Sequence, residues 1–210
     1  MVSPPNTVLT RLLDPGAAGA GHRDRILGGM IAAVVERGYA ATTITDVVRH
    51  ARVSRRTFYE HFEDKEACFL AAYDAVSDAI LGAIEGAAAE HSQWRERIVF
   101  GVRTYLQGLA AEPEIARVFT VEVLSAGPEA LRRRRAVLRR FAASLQGQVG
   151  AAVAAGAPGR PISATTALAL AGAIHELVLE ALEEERGADL PALEGEIADL
   201  VAASVVGPTR

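Results

Sequence analysis

Apolar side chains recur along the chain every three or four residues, which is the period of an α-helix. The first such stretch runs from His22 to Arg37, and Gly38 follows it as a stop signal. Later stretches open at prolines or at small polar residues, as helices often do. Alanine is abundant and aromatic residues make up only 5% of the chain, a composition that favours close-packed helices. The sequence therefore predicts an all-α protein of about nine helices.

The second and third predicted helices are short and are joined by a tight turn. Thr43 and Asp46 have the spacing of a capping box at the start of one, and Ser54 can cap the other. Phe58 and Phe62 lie four residues apart and are expected to face inward together. A helix this short is stable only when it packs against its neighbours, so its outer face is held rigidly.

That outer face of the third helix is basic and suits the reading of DNA. Arginine pairs bidentately with guanine in the major groove, and threonine can contact a thymine methyl. The predicted base-reading residues, on the first turn, are Arg55, Arg56 and Thr57. Hydroxyls, imidazoles and helix N-termini can hold the DNA backbone. The predicted phosphate contacts are Thr43, Ser54, Tyr59 and His61.

Residues 23–69 together resemble the DNA-binding domain of the tetracycline-repressor (TetR) family. The resemblance is carried by ERGY at 36–39, the Thr43–Asp46 cap, VSRRTFYEHF at 53–62 and DKE at 64–66. It implies a three-helix helix-turn-helix domain at 22–65, followed by a helical effector-binding and dimerisation domain at 66–210. It also implies that Lys65 contacts a phosphate, where the alternative is an ordinary surface cation.

One residue of the turn departs from the family pattern. The family usually has glycine where this chain has Arg52. If the backbone there has a positive φ, arginine costs about 1 kcal/mol relative to glycine.

The resemblance further implies an apolar cavity that is enclosed by the middle helices, four to seven, and that binds a small, largely apolar effector. The candidate lining residues, whose apolar stripes fit a plain core equally well, are Trp94, Tyr105, Phe119 and Glu122. In the family, the last two helices pack against a second copy of the chain as a four-helix bundle. The corresponding dimer-interface residues are Ile174, Val178, Leu182, Ile197, Leu200 and Val201.

The net charge of −4 does not argue against DNA, because the charge that matters is local. Residues 22–65 carry eight basic and six acidic side chains, whereas residues 66–210 carry thirteen and nineteen. Residues 1–21 contain several Pro and Gly without periodicity, so a disordered leader is expected there.

Other chemistry finds little support in the sequence. The single Cys68 leaves no internal disulfide and is interpreted as a buried apolar residue, which fits a cytoplasmic protein. No Ser-His-Asp arrangement, metal-ligand spacing or phosphate loop occurs, so we expect no catalytic residue, cofactor or metal. His175 is interpreted as a core or interface histidine. The longest uncharged run is too interrupted to predict a membrane span.

The leading hypothesis is a homodimeric transcriptional regulator, a repressor that binds an inverted repeat in double-stranded DNA and is released by a small-molecule effector. The alternative is a helical ligand-binding or protein-interaction module whose DNA head does not function. The intact basic turn at Arg55 and Arg56 favours the first.

Overall fold

The computed structural model describes residues 21–206 and contains nine α-helices and two 3₁₀ helices, with no strand in that range. The predicted leader at 1–21 lies outside the described residues except for Gly21. The all-α class and the number of helices are confirmed. The helices are α1 (His22–Ala41), α2 (Ile44–Ala51), α3 (Arg55–His61), α4 (Lys65–Ala89), α5 (Trp94–Ala111), α6 (Pro113–Thr120), α7 (Pro128–Ala154), α8 (Ala164–Glu183) and α9 (Glu194–Val206), with 3₁₀ helices at Glu122–Ser125 and Gly187–Leu193.

Helix starts in the N-terminal region occur where the capping residues predict them. Thr43 and Asp46 form a complete capping box at the start of α2. The Ser54 hydroxyl accepts a hydrogen bond from the Thr57 N–H at 3.0 Å and so caps α3. Asp64 caps α4 by accepting from the Ala67 N–H at 2.7 Å. These side chains satisfy backbone donors that a helix start leaves free.

Two positive-φ residues shape the same region. Gly38 breaks α1 with φ 74° and ψ 157°, at the predicted stop. Arg52 ends α2 in the left-handed region, with φ 52° and ψ 47°. The turn thus has the conformation for which glycine is favoured, and arginine adopts it here at a cost of about 1 kcal/mol.

The first three helices and α4 share one apolar core. Its largest fully buried side chains include Ile26 and Met30 of α1, Phe58 of α3 and Phe69 of α4. Val118, Phe119 and Val123, from α6 and the 3₁₀ helix after it, join the same core. The helix-turn-helix region is therefore packed directly against part of the following helical domain.

A second core holds the C-terminal helices together. Leu106 of α5, Val178 and Leu182 of α8, Leu190 and Ile197 are all buried in it. Pro191 lies inside the second 3₁₀ helix, and α9 begins three residues later, at Glu194.

Two helices, α4 and α8, are long and apolar enough to cross a membrane by length and composition alone. Both contribute fully buried side chains to the apolar cores, with Phe69 from α4 and Val178 from α8. Central helices of a globular domain have the same composition, so the feature carries no evidence for a membrane.

Candidate nucleic-acid interface and internal cavity

The first turn of α3 presents two arginines to solvent. Arg55 and Arg56 are both exposed, and Arg55 has no ion pair within the described part of the chain. Arg56 pairs with Glu60 at 3.1 Å, but its side chain is 89% exposed. An exposed pair of this kind contributes little, so neither guanidinium is held away from a partner.

Thr57, the third predicted base-reading residue, is placed differently. It is half-buried, and its hydroxyl lies 2.9 Å from the hydroxyl of Ser54. Ser54 is therefore committed to the cap of α3. The predicted DNA contacts of both residues stay predictions.

Helix α3, the predicted DNA-reading helix, is held by packing beneath it, and the two helices before it are joined by an ion pair. Phe58 is fully buried, and its ring lies 5.9 Å from that of Phe62, so the predicted inward pair is found. Helices α1 and α2 are joined by the Arg37–Asp46 ion pair at 2.9 Å. Hydrogen bonds from Thr43, and the neighbouring Arg37, lower the pKa of Asp46 to about 2. The capping carboxylate is thus ionised at neutral pH.

Three further predicted phosphate contacts lie on the surface of this region. Thr43 and His61 are exposed. Tyr59 is 51% exposed, whereas Tyr39 and Tyr73 are buried in the N-terminal core. The Thr43 hydroxyl is 2.6 Å from Asp46 Oδ2. The surface therefore offers hydroxyl and imidazole groups around the two arginines.

Lys65 has contacts that the sequence did not predict. Its Nζ donates to the Tyr39 carbonyl at 2.9 Å and to the Thr42 carbonyl at 3.0 Å, and lies 4.3 Å from the centre of the Tyr39 ring. The cation therefore satisfies carbonyls at the C-terminal end of α1, where the helix dipole favours a positive charge. An ammonium has three donors, so one remains for a phosphate.

Replacing Lys65 by methionine is expected to destabilise the N-terminal region as well as to weaken DNA binding. Methionine keeps the apolar stem but loses both charge-assisted hydrogen bonds, which together are worth about 1.5 to 3 kcal/mol. Urea unfolding measures the loss of stability, and the salt dependence of DNA binding measures the phosphate role. Unchanged stability would show that the two carbonyl contacts contribute nothing.

A separate cavity of about 140 Å³ lies among α4, α5, α7 and α8. Most of its lining is apolar, with side chains such as Leu81, Ile98 and Phe141. Of the four predicted lining residues, Tyr105 is the one that lines it.

The other three predicted lining residues do not line this cavity. Phe119 packs into the N-terminal core, where its ring lies 5.9 Å from that of Tyr73. Glu122 accepts a hydrogen bond from the Tyr39 N–H at 2.9 Å, beside the break at Gly38. Trp94 packs against a third apolar cluster, which is formed by the C-terminal half of α7 and the N-terminal half of α8.

Most of the predicted dimer-interface residues also face the protein interior. Val178, Leu182, Ile197 and Val201 are at most 4% exposed, so their side chains pack within the single chain. Ile174 lines the cavity. Leu200 is the exception, at 42% exposed. The wide apolar face of each terminal helix is used chiefly for packing within the chain.

Sequence reasoning missed the three basic side chains of the cavity lining, which are Arg97, Arg134 and His175. Burial and the charge of Arg134 lower the pKa of His175 to about 4, so its ring is neutral at pH 7. The sequence contained a signal for the position of Arg134. It lies one helical turn before Val137 and two turns before Phe141, on the apolar stripe of α7.

Elsewhere in residues 21–206, no group of three or more His, Cys, Asp or Glu side chains is arranged to hold a metal ion. Cys68 is fully buried, and burial raises the pKa of its thiol to about 12, which agrees with its predicted role as a small core residue.

Residues 29–72 match the family described as "Bacterial regulatory proteins, tetR family". The chain is also 32% identical over 63 residues to the HTH-type transcriptional regulator TcmR of Streptomyces glaucescens, a match that covers 30% of this chain and 28% of TcmR. The family match includes helix α3.

The whole fold is similar to solved structures. FadR of Bacillus subtilis, solved in complex with stearoyl-CoA, aligns with a TM-score of 0.75 and 18% identity, covering 86% of this chain and 98% of FadR. FadR of Bacillus halodurans aligns with a TM-score of 0.78 and 19% identity, covering 92% and 98%. A TetR-family protein from Rhodococcus RHA1 aligns with a TM-score of 0.67 and 22% identity, covering 90% and 100%. At these identities the likeness concerns the fold.

Proposed function

We propose that this chain, whose residues 29–72 match the TetR family of bacterial regulatory proteins, represses transcription by binding an inverted repeat in double-stranded DNA as a homodimer. The observation that carries the proposal is the exposed pair Arg55 and Arg56, on a short helix that is capped by Ser54 and anchored by a fully buried Phe58. Such a helix can enter a major groove with its arginines in fixed positions. In this proposal the protein works in the cytoplasm.

The proposed division of labour follows the predicted domains. Residues 22–65 bind DNA, with Arg55, Arg56 and Thr57 on the bases. Residues 66–210 bind the effector and the second subunit. Helix α4 belongs to both, because Phe69 packs in the N-terminal core while Ile84 lines the cavity. An effector that binds better when α4 is tilted would change the distance between the two α3 helices of the dimer and so release the DNA.

We place the proposed dimer contact at the leucines of the last two helices that are exposed in the single chain. Leu168 and Leu177 of α8 are each 38% exposed, and Leu200 of α9 is 42% exposed. Exposed leucines on two neighbouring helices are apolar side chains that a second copy can cover. A two-fold dimer is needed because one short helix reads too few bases.

The double variant Leu177→Glu/Leu200→Glu is expected to be monomeric, because it would bury up to four like charges in the two-fold contact. Sedimentation velocity measures the change from dimer to monomer. Leu124→Glu is the matched control, since Leu124 is also 38% exposed but lies in the first 3₁₀ helix. A double variant that remains dimeric would place the interface elsewhere.

The test of the proposed function is selection of bound sequences from a random duplex pool, followed by titration of the selected DNA at two salt concentrations. An enriched inverted repeat bound by a dimer would support the proposal and give the operator. Absence of enrichment with folded, dimeric protein would favour the alternative, a ligand-binding or protein-interaction module with a DNA head that does not function.

A further inference from the structure

Resting on the proposed function, we propose that the cavity binds an effector with an apolar body and one carboxylate, and that Arg134 and His175 receive the carboxylate. The site would lie at the end of the cavity nearest the DNA-binding region. Its rationale is that Arg134 and His175 both line the cavity and each have a buried nitrogen without a hydrogen-bond partner in the described part of the chain.

Arg134 is the first of these groups. Its Nε is buried without a hydrogen-bond partner, and no carboxylate in residues 21–206 lies within ion-pair distance of the guanidinium. A guanidinium remains charged at any physiological pH, and burial without a partner is costly. An anion entering the cavity would provide the missing partner.

Among the arginines of α7, Arg134 is the one whose Nε is buried without a hydrogen-bond partner in the described part of the chain. Arg132 pairs with Glu129, Arg133 pairs with Asp74 of α4 at 2.6 Å, and Arg140 pairs with Asp78. Three of the six arginines between 132 and 140 are therefore paired with carboxylates. Arg134 alone in the run 132–135 lines the cavity.

His175 is the second group without a partner. Its Nε2 is buried with no hydrogen-bond partner, and it also lines the cavity. Arg134 and His175 both line the cavity, and the charge of Arg134 contributes to lowering the pKa of His175. A neutral imidazole can donate one hydrogen bond to a carboxylate oxygen while Arg134 supplies the charge.

The position of this pair is defined by its neighbours. Tyr73, whose ring packs on Phe119 of the N-terminal core, also lines the cavity. The charge of Arg134 lowers the pKa of Tyr73, against the larger effect of burial. Arg97, whose Nε is also buried without a hydrogen-bond partner in the described residues, lies on the first turn of α5, which packs against the C-terminal half of α4.

The rest of the lining requires an apolar body. Between the two arginines the walls are formed by side chains such as Val137, Leu138 and Phe141 of α7 and Ile98 and Val102 of α5. A carboxylate with an aliphatic chain would place its charge at Arg134 and bury its chain against these side chains.

Isothermal titration calorimetry of the full chain tests the proposal with hexanoate, decanoate and palmitate, each compared with the alcohol of the same chain length. At least one carboxylate is expected to bind about ten-fold or more tightly than its alcohol, because the charge-assisted hydrogen bonds are lost with the charge. Equal affinity of acid and alcohol, or no binding of any of the three acids, would overturn the proposal. This comparison requires no variant.

Variants then locate the charge. Arg134→Gln is expected to lower the affinity for the carboxylate about ten-fold or more and to leave the affinity for the alcohol unchanged. Arg135→Gln is the matched control, because Arg135 is the next residue on α7, is exposed and lies outside the cavity lining. A loss with Arg97→Gln and none with Arg134→Gln would overturn the assignment.

Titration of the selected operator with and without ligand separates the two proposals. Binding of carboxylate by a protein that binds no specific DNA would remove the proposed function and keep the ligand site. Specific DNA binding by a protein that ignores every carboxylate would do the reverse. If only a coenzyme A thioester binds, the carboxylate proposal fails, because the charge of that ligand is not at the end of its acyl chain.

Discussion

Arg55→Ala is expected to weaken binding to the selected inverted repeat by about 1 to 3 kcal/mol for each reading head, hence by about 2 to 6 kcal/mol for the dimer, and to relax the base preference at one position of each half-site. Arg55 is exposed on the first turn of α3 and has no ion pair in the described part of the chain. Its guanidinium therefore contacts a base without first breaking a contact within the protein. Titration of the variant against the selected repeat and against random duplex measures both effects.

The control for Arg55→Ala is Arg135→Ala, which removes an exposed arginine outside the DNA-binding region. It is expected to leave both affinities unchanged. Equal losses on the selected and the random duplex for Arg55→Ala would assign Arg55 to the phosphates. The same comparison for Arg56→Ala shows whether its exposed pair with Glu60 changes on binding.

The parts of this structure that the sequence predicted depend on local contacts. The capping residues Thr43, Ser54 and Asp64 each bond within three residues of themselves, so the helix starts follow from the sequence alone. The inward pair Phe58 and Phe62 follows from helical spacing in the same way. The position of the reading helix and its exposed arginines was therefore predictable.

The cavity and the dimer surface depend on contacts between distant segments. Helical periodicity shows which face of α8 is apolar, but not which element covers it. Val178 is covered by the chain's own core, whereas Leu177, the adjacent residue, is left exposed. Glu122 was assigned to the cavity, yet its carboxylate contacts a backbone N–H that is 83 residues away in sequence. No local pattern contains that information.

Lys65 shows the same limit within the DNA-binding region. Its position in the first turn of α4 gives no local reason for a cation, and its two carbonyl partners are 26 and 23 residues earlier in the chain. The cation is therefore explained by the end of α1, which only the folded structure brings close.

Gly29→Ala is expected to destabilise the N-terminal region by about 3 kcal/mol, the upper part of the range for overpacking a core. A β-carbon at Gly29 would lie 2.7 Å from the backbone N of Ala51 and 2.7 Å from the carbonyl oxygen of Val47. Both atoms belong to the backbone of α2, so no side-chain rotation can relieve the collision. Helices α1 and α2 would have to move apart, and the Arg37–Asp46 pair that joins them would lengthen.

Gly82→Ala is the matched control for this prediction, because it makes the same change inside α4 where a β-carbon would meet nothing within 4 Å. Alanine is the better helix former by about 1 kcal/mol, so this variant is expected to be slightly more stable than the natural chain. Urea unfolding of both variants measures the difference, and binding to the selected repeat reports whether α3 is still held. A Gly29→Ala variant as stable as Gly82→Ala would mean that α1 and α2 do not approach at the observed distance. If Gly29→Ala is destabilised and also loses specific DNA binding, the close α1–α2 contact is what holds the reading helix in place.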